Sequence, residues 1–102
     1  MGLIAATVNT QYLIAYKNEL EYKITLINQA KMGLSDSTSD LLNAGTDLDP
    51  ENPAVKQLEQ RKERLNLLEK KLDMQLEEYE TKLKMVEKNL EASKQMAEKA
   101  IK

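Results

Sequence analysis

Cysteine, histidine, tryptophan and phenylalanine are all missing from this 102-residue sequence, and it has only two prolines, three glycines and four tyrosines. Without cysteine there is no disulfide and no thiolate chemistry, and the redox compartment is left open. Without histidine the usual general base and the commonest transition-metal ligand are gone. The shortage of large aromatic side chains argues against a compact globular core, so the apolar residues are predicted to lie along a seam. No apolar run approaches the roughly 20 residues of a membrane span. Nor is there a basic surplus. Residues 1–50 carry three lysines against six acidic groups, and residues 51–102 carry twelve basic against eleven acidic, so phosphate-directed nucleic-acid binding is not expected.

The opening residues, Met1-Gly2-Leu3-Ile4-Ala5-Ala6, lack the basic flank and long apolar stretch of a Sec signal. Gly2 invites myristoylation, but Ala6 stands where that motif wants Ser or Thr. The reading is a cytoplasmic protein, or one exported by a route without a Sec signal.

What the sequence has is helix. The stretch Asp49-Pro50-Glu51-Asn52-Pro53 reads as stop, turn and restart, because proline is tolerated in a first helical turn but not inside a helix. Asp49 and Asn52 are both good N-caps. Ala44-Gly45 before them suits a left-handed helix end. Upstream, Leu13, Tyr16, Leu20, Ile24, Ile27, Leu34 and Leu41 recur at steps of three and four. Lys17–Glu21 and Glu19–Lys23 are spaced as surface ion pairs. Residues 33–40 are weak helix formers, yet the stripe runs through them; continuation is expected, with a break and a short helix near 37–43 as the alternative. Downstream, Leu58, Leu65, Leu68, Leu72, Leu76, Tyr79, Leu83, Val86, Leu90 and Ala97 form a second stripe among mixed charges.

The fold class is therefore all-α: one antiparallel two-helix hairpin, coiled-coil-like, with a Pro-rich turn, and oligomeric. Helices are predicted at about 3–43 and 53–101 around a turn at 44–53. The second would be ~73 Å long at 1.5 Å per residue, too long to stand alone in water. Its hairpin seam is assigned to Leu13, Tyr16, Leu20, Ile24, Ile27, Leu65, Leu68, Leu72, Leu76, Tyr79 and Leu83, and its turn to Asp49, Pro50, Asn52 and Pro53. Two stutters, Leu68-Leu72-Leu76 and Tyr16-Leu20-Ile24, meet if the chain folds back about residue 47. That register sets Leu13 near Tyr79 and Leu83, and Ile27 near Leu65 and Leu68. It also sets Met1 opposite residue 93, so that Lys94 to Lys102 overhang.

Catalysis is not expected. Glu77, Glu78 and Glu80 point in different directions beside Lys82 and Lys84 and read as a solvated face. Asp47, Asp49, Glu51 and Asn52 lack calcium-loop spacing and read as caps. Tyr12 and Tyr16 lie one turn apart and read as seam packing, with stacking on a ligand as the other reading. Met74, Met85 and Met96 suit an adaptable contact surface or plain helix. No nucleophile–base pair or phosphate loop can be assembled, so no cofactor or metal is predicted.

Pro50-Glu51-Asn52-Pro53, continued by Ala54-Val55-Lys56-Gln57-Leu58, resembles the turn and second helix of type III secretion needle subunits. That resemblance implies a small helical hairpin without a Sec signal that polymerises into a tubular filament. Leu48-Asp49-Pro50-Glu51-Asn52-Pro53 is equally similar to the turn between tetratricopeptide repeats, whose Trp, Gly and Tyr signature and 34-residue period are absent. Two functions stay open. One is a self-assembling structural protein, a secretion-apparatus or filament subunit, associating through Leu3, Ile4, Val8, Met96 and Ile101. The other is a coiled-coil adaptor or small chaperone that binds a partner protein's helix.

Overall fold

The computed structural model describes residues 2–46 and 48–101. They form two α-helices, α1 (Gly2–Gly45) and α2 (Pro53–Ile101), and no strand. The fold is the expected all-α antiparallel hairpin. Packing divides the chain into two units: Met1–Thr25 with Glu77–Lys102, and Leu26–Leu76.

The Ser/Thr-rich run of α1 stays helical. Thr38 donates to the Leu34 carbonyl at 2.9 Å, and Thr7, Thr10 and Thr25 bond back by one turn in the same way. A hydroxyl that would otherwise compete for the backbone is thereby satisfied within the helix.

The turn divides its work between two side chains. Asp49 Oδ1 accepts from the Glu51 amide at 3.0 Å, and the Asp49 carbonyl accepts from the Asn52 amide at 2.8 Å. Asn52 is the true N-cap: its Oδ1 accepts from the Ala54 amide at 3.0 Å, with Pro53 at the first helical position. Asp49 thus closes the turn over Pro50 instead of capping a helix. Gly45 does not take the left-handed geometry expected of it, since no described glycine has positive φ. The chain continues past it with Leu48 N–H donating to the Gly45 carbonyl at 3.4 Å.

In the first unit, Leu13, Leu20, Val86 and Leu90 form the core, with Tyr16, Tyr79 and Leu83 packed against it. Leu20 is 2% exposed. The strands of contact run in opposite senses: Gly2 lies by Ala100, Thr10 meets Ser93, and Lys23 reaches Tyr79. In heptad steps from the Thr10–Ser93 pair, Leu13 falls level with Leu90 and Leu20 with Leu83.

In the second unit, Ile27 is the only described apolar residue that is buried. Leu34, Leu41, Val55, Leu58, Leu65, Leu72 and Leu76 are half-buried. Lys31 pairs with Asp73, and Gly45 lies beside Leu58. Polar Lys62 and Glu69 occupy seam-spaced positions between Leu58, Leu65 and Leu72 and are exposed.

The observed register corrects the expected one by about two and a half helical turns. Leu13 lies near Leu90, not opposite Tyr79 and Leu83. Ile27, by the same heptad count, falls level with Leu76 and not with Leu65 and Leu68. Reversal occurs in the hydrogen-bonded Asp49–Asn52 turn, later than the expected fold-back at Asp47, a residue outside the described ones, as is Met1. The overhang of residues 94–101 also falls: Ser93 is buried under α1 and Ala100 lies against Gly2. Tyr16, Leu20 and Ile24 all stay in the packed series, but the second stutter dissolves. Leu68 is 47% exposed, because the buried series steps from Leu65 to Leu72, Leu76 and Tyr79 and leaves it on the flank. The other assigned seam residues are buried or half-buried.

Candidate functional site

The first unit carries two features of interest: a polar layer inside the seam, and an uncharged face outside it. The polar layer centres on Ser93, which is 2% exposed. Its hydroxyl lies 2.7 Å from that of Thr10 and 3.1 Å from the Ala6 carbonyl, and it accepts from Asn9 Nδ2 at 3.1 Å. Thr10 also reaches the Ala6 carbonyl at 2.8 Å. Each hydroxyl has one proton, so one donates to Ala6 and the other to its neighbour. Every group in the layer has a partner under either arrangement, and no described buried polar side-chain atom is orphaned. Such a layer fits only one alignment of the helices, because sliding by a turn would bury unpaired hydroxyls against leucine. Small residues surround it: Gly2 and Ala6 on α1, Ala97 and Ala100 on α2.

The outer face is set by heptad arithmetic. Along α1 the seam positions in this unit are Ala6, Thr10, Leu13, Lys17, Leu20 and Ile24. The positions half a turn away are Ile4, Val8, Gln11, Ala15, Asn18 and Tyr22. All six are exposed and none is charged. Their spacing alternates four and three, which is itself a heptad repeat. Ile4 is 73%, Val8 61% and Tyr22 64% exposed. Tyr12 borders this face and stacks on Tyr16, with ring centroids 6.3 Å apart and planes 2° from parallel. By the same count the outward positions of α2 are Glu77, Thr81, Lys84, Lys88, Glu91, Gln95 and Glu98, of which five are charged, with at least one charge in each heptad. One helix is finished for water and the other is not.

The residues assigned to self-association, Leu3, Ile4, Val8, Met96 and Ile101, are all exposed. Met96 and Ile101 are exposed through the direction they face, not through an overhang. Ile4 and Val8 belong to the uncharged face; Leu3, at a seam-spaced position, is 42% exposed.

The flanks of the unit are ionic. Lys17–Glu21 and Lys23–Glu19 pair at 3.8 and 3.1 Å, as their spacing predicts, and Lys82 pairs with Glu78 at 3.0 Å. The Lys23 and Lys82 ammonium groups sit 5.5 and 5.8 Å from the Tyr79 ring centroid. Hydrogen bonding to Glu19 raises the pKa of Lys23 above its ordinary 10.5, and Glu78 does the same for Lys82. Glu78 is thus engaged as a surface partner. Among the described residues no group of His, Cys, Asp and Glu could hold a metal ion, and no helix is long and apolar enough to cross a membrane.

In the second unit, Leu41, Leu42, Gly45, Thr46, Val55, Leu58, Glu59 and Lys62 line an open cleft of about 270 Å³ beside the turn.

Sequence reasoning missed the Ser93 layer and the outward heptad. The layer has no sequence signal without the correct register. The outward heptad had one: the first charged residue is Lys17, and the charges that follow it in this unit, Glu19, Glu21 and Lys23, avoid the outward positions. No family model, no curated protein and no solved structure matches the chain.

Proposed function

We propose that this chain is a non-enzymatic structural subunit: a coiled-coil hairpin that assembles with copies of itself, as secretion-apparatus and filament subunits do. The observation that carries the reading is the exposure of Leu3, Ile4 and Val8 on a stretch of α1 without any charge before Lys17, with Met96 and Ile101 of α2 exposed in the same unit. Exposed large apolar side chains gathered at one end of a helix in this way mark an interaction site. Burying these side chains between subunits would contribute ~1.5–3 kcal/mol each before the cost of ordering. The Pro50-Glu51-Asn52-Pro53 turn, similar to that of type III secretion needle subunits, supports the same reading. The test is the variant with Leu3, Ile4 and Val8 changed to serine, studied by circular dichroism and analytical ultracentrifugation. Retained helix with a fall in assembly size is expected; unchanged assembly would place the contacts elsewhere.

The second reading, an adaptor or small chaperone, has its own observation. The cleft beside the turn offers Leu41, Leu42, Val55 and Leu58 to an apolar helix. A small defined complex with a helical partner, and no larger homo-oligomer, would favour it.

A further inference from the structure

We infer that the copy-to-copy contact is made by α1 against α1: the outward heptad Ile4, Val8, Gln11, Ala15, Asn18 and Tyr22 packs on the same face of a second copy, while α2 stays in water. This rests on the self-assembly reading above and assigns its interface. Charge selects the occupant. A partner helix must bring no charge to this face, since a lysine or glutamate set against Ile4, Val8 or Tyr22 would lose its hydration without gaining a counterion. The outward face of α2 brings Glu77, Lys84, Lys88, Glu91 and Glu98, at least one in each heptad, and is excluded on that ground. The same face of a second α1 is uncharged at every one of these positions and repeats with the same four-three spacing. Two such faces can interdigitate over the whole stretch as helices with matching heptads do.

The amides at Gln11 and Asn18 fit the same contact. Each carries both donors and an acceptor, so an amide meeting its counterpart is satisfied without a charge. The extent is adequate as well. Tyr22 and the bordering Tyr12 bring roughly 150 Å² or more each, Ile4 and Val8 on the order of 100 Å² each, and Gln11, Ala15 and Asn18 add to them. That approaches the ~800 Å² per partner of a stable interface. Isologous pairing of this kind closes a dimer and leaves Met96 and Ile101 free for further contacts.

The experiment compares two single substitutions in the full chain, Ala15→Glu on the outward face of α1 and Lys84→Glu on that of α2. Circular dichroism checks the helix, and sedimentation equilibrium reads association. Ala15→Glu is expected to weaken association at least tenfold with helicity retained, while Lys84→Glu leaves it unchanged. A chain carrying Ala15→Cys is expected to form an interchain disulfide or bis-maleimide crosslink, and one carrying Lys84→Cys is not. Association that survives Ala15→Glu, or that is lost through Lys84→Glu, overturns the α1–α1 assignment and leaves self-assembly standing. An unaltered chain that sediments as a single copy overturns both.

Discussion

At the residue scale, identical residue types at similar spacing have opposite fates. Leu20 is 2% exposed and Leu68 47%, although both belong to an apolar series in the sequence. What separates them is the neighbour: Leu20 falls in the packed series with Leu13, Val86 and Leu90, and Leu68 falls one position short of it. Leu20→Ala is therefore expected to cost about 2–5 kcal/mol, as for a core leucine whose cavity only partly collapses. Leu68→Ala should stay within about 0.5 kcal/mol, the range of ordinary surface changes. Urea denaturation of the two variants checks this; equal losses would mean that the expected seam, with Leu68 inside it, is the real one. Ser93 makes the complementary point. From sequence it is one more small polar residue in a charged helix. Its burial follows only from its pairing with Thr10, Asn9 and Ala6, which single-helix periodicity does not contain.

At the scale of the element, the sequence was largely sufficient. Proline chemistry and apolar spacing predicted helices at about 3–43 and 53–101, and the helices run Gly2–Gly45 and Pro53–Ile101. Local rules work there because helix stops and starts are local events: Pro53 must open a helix, and Asn52 caps it through its own side chain. Asn52→Ala is expected to cost about 1 kcal/mol by removing that cap, while Asp49→Ala should loosen the turn without shortening α2. Thermal unfolding of the first, with backbone NMR shifts of residues 50–56 in both, measures the difference. The register was not legible for a physical reason. A fold-back centred on the interhelix segment assumes a symmetric connection, but Leu48 still bonds to Gly45, and reversal waits for the Asp49–Asn52 hydrogen bond. A displacement of a few residues at the turn becomes a shift of about two and a half helical turns in what each residue faces. The outward heptad of α1 was legible in principle, since it needs only a count of where charges are absent.

At the scale of the whole molecule, the formal charge of −2 is too small to drive or prevent association by itself. If copies met through their charged flanks, association would weaken with salt as the Debye length falls from about 10 Å at 0.1 M to about 3 Å at 1 M. Contact through the uncharged face of α1 predicts otherwise: association constant or firmer as the ionic strength is raised over the same range with sodium sulfate, an excluded salt that strengthens apolar burial. The central claim is that this hairpin is a building block, not a finished monomer. Sedimentation equilibrium of the unaltered chain across micromolar concentrations tests it most directly. The account predicts a weight-average mass above 11.6 kDa that rises with concentration; a constant 11.6 kDa at every concentration would contradict it.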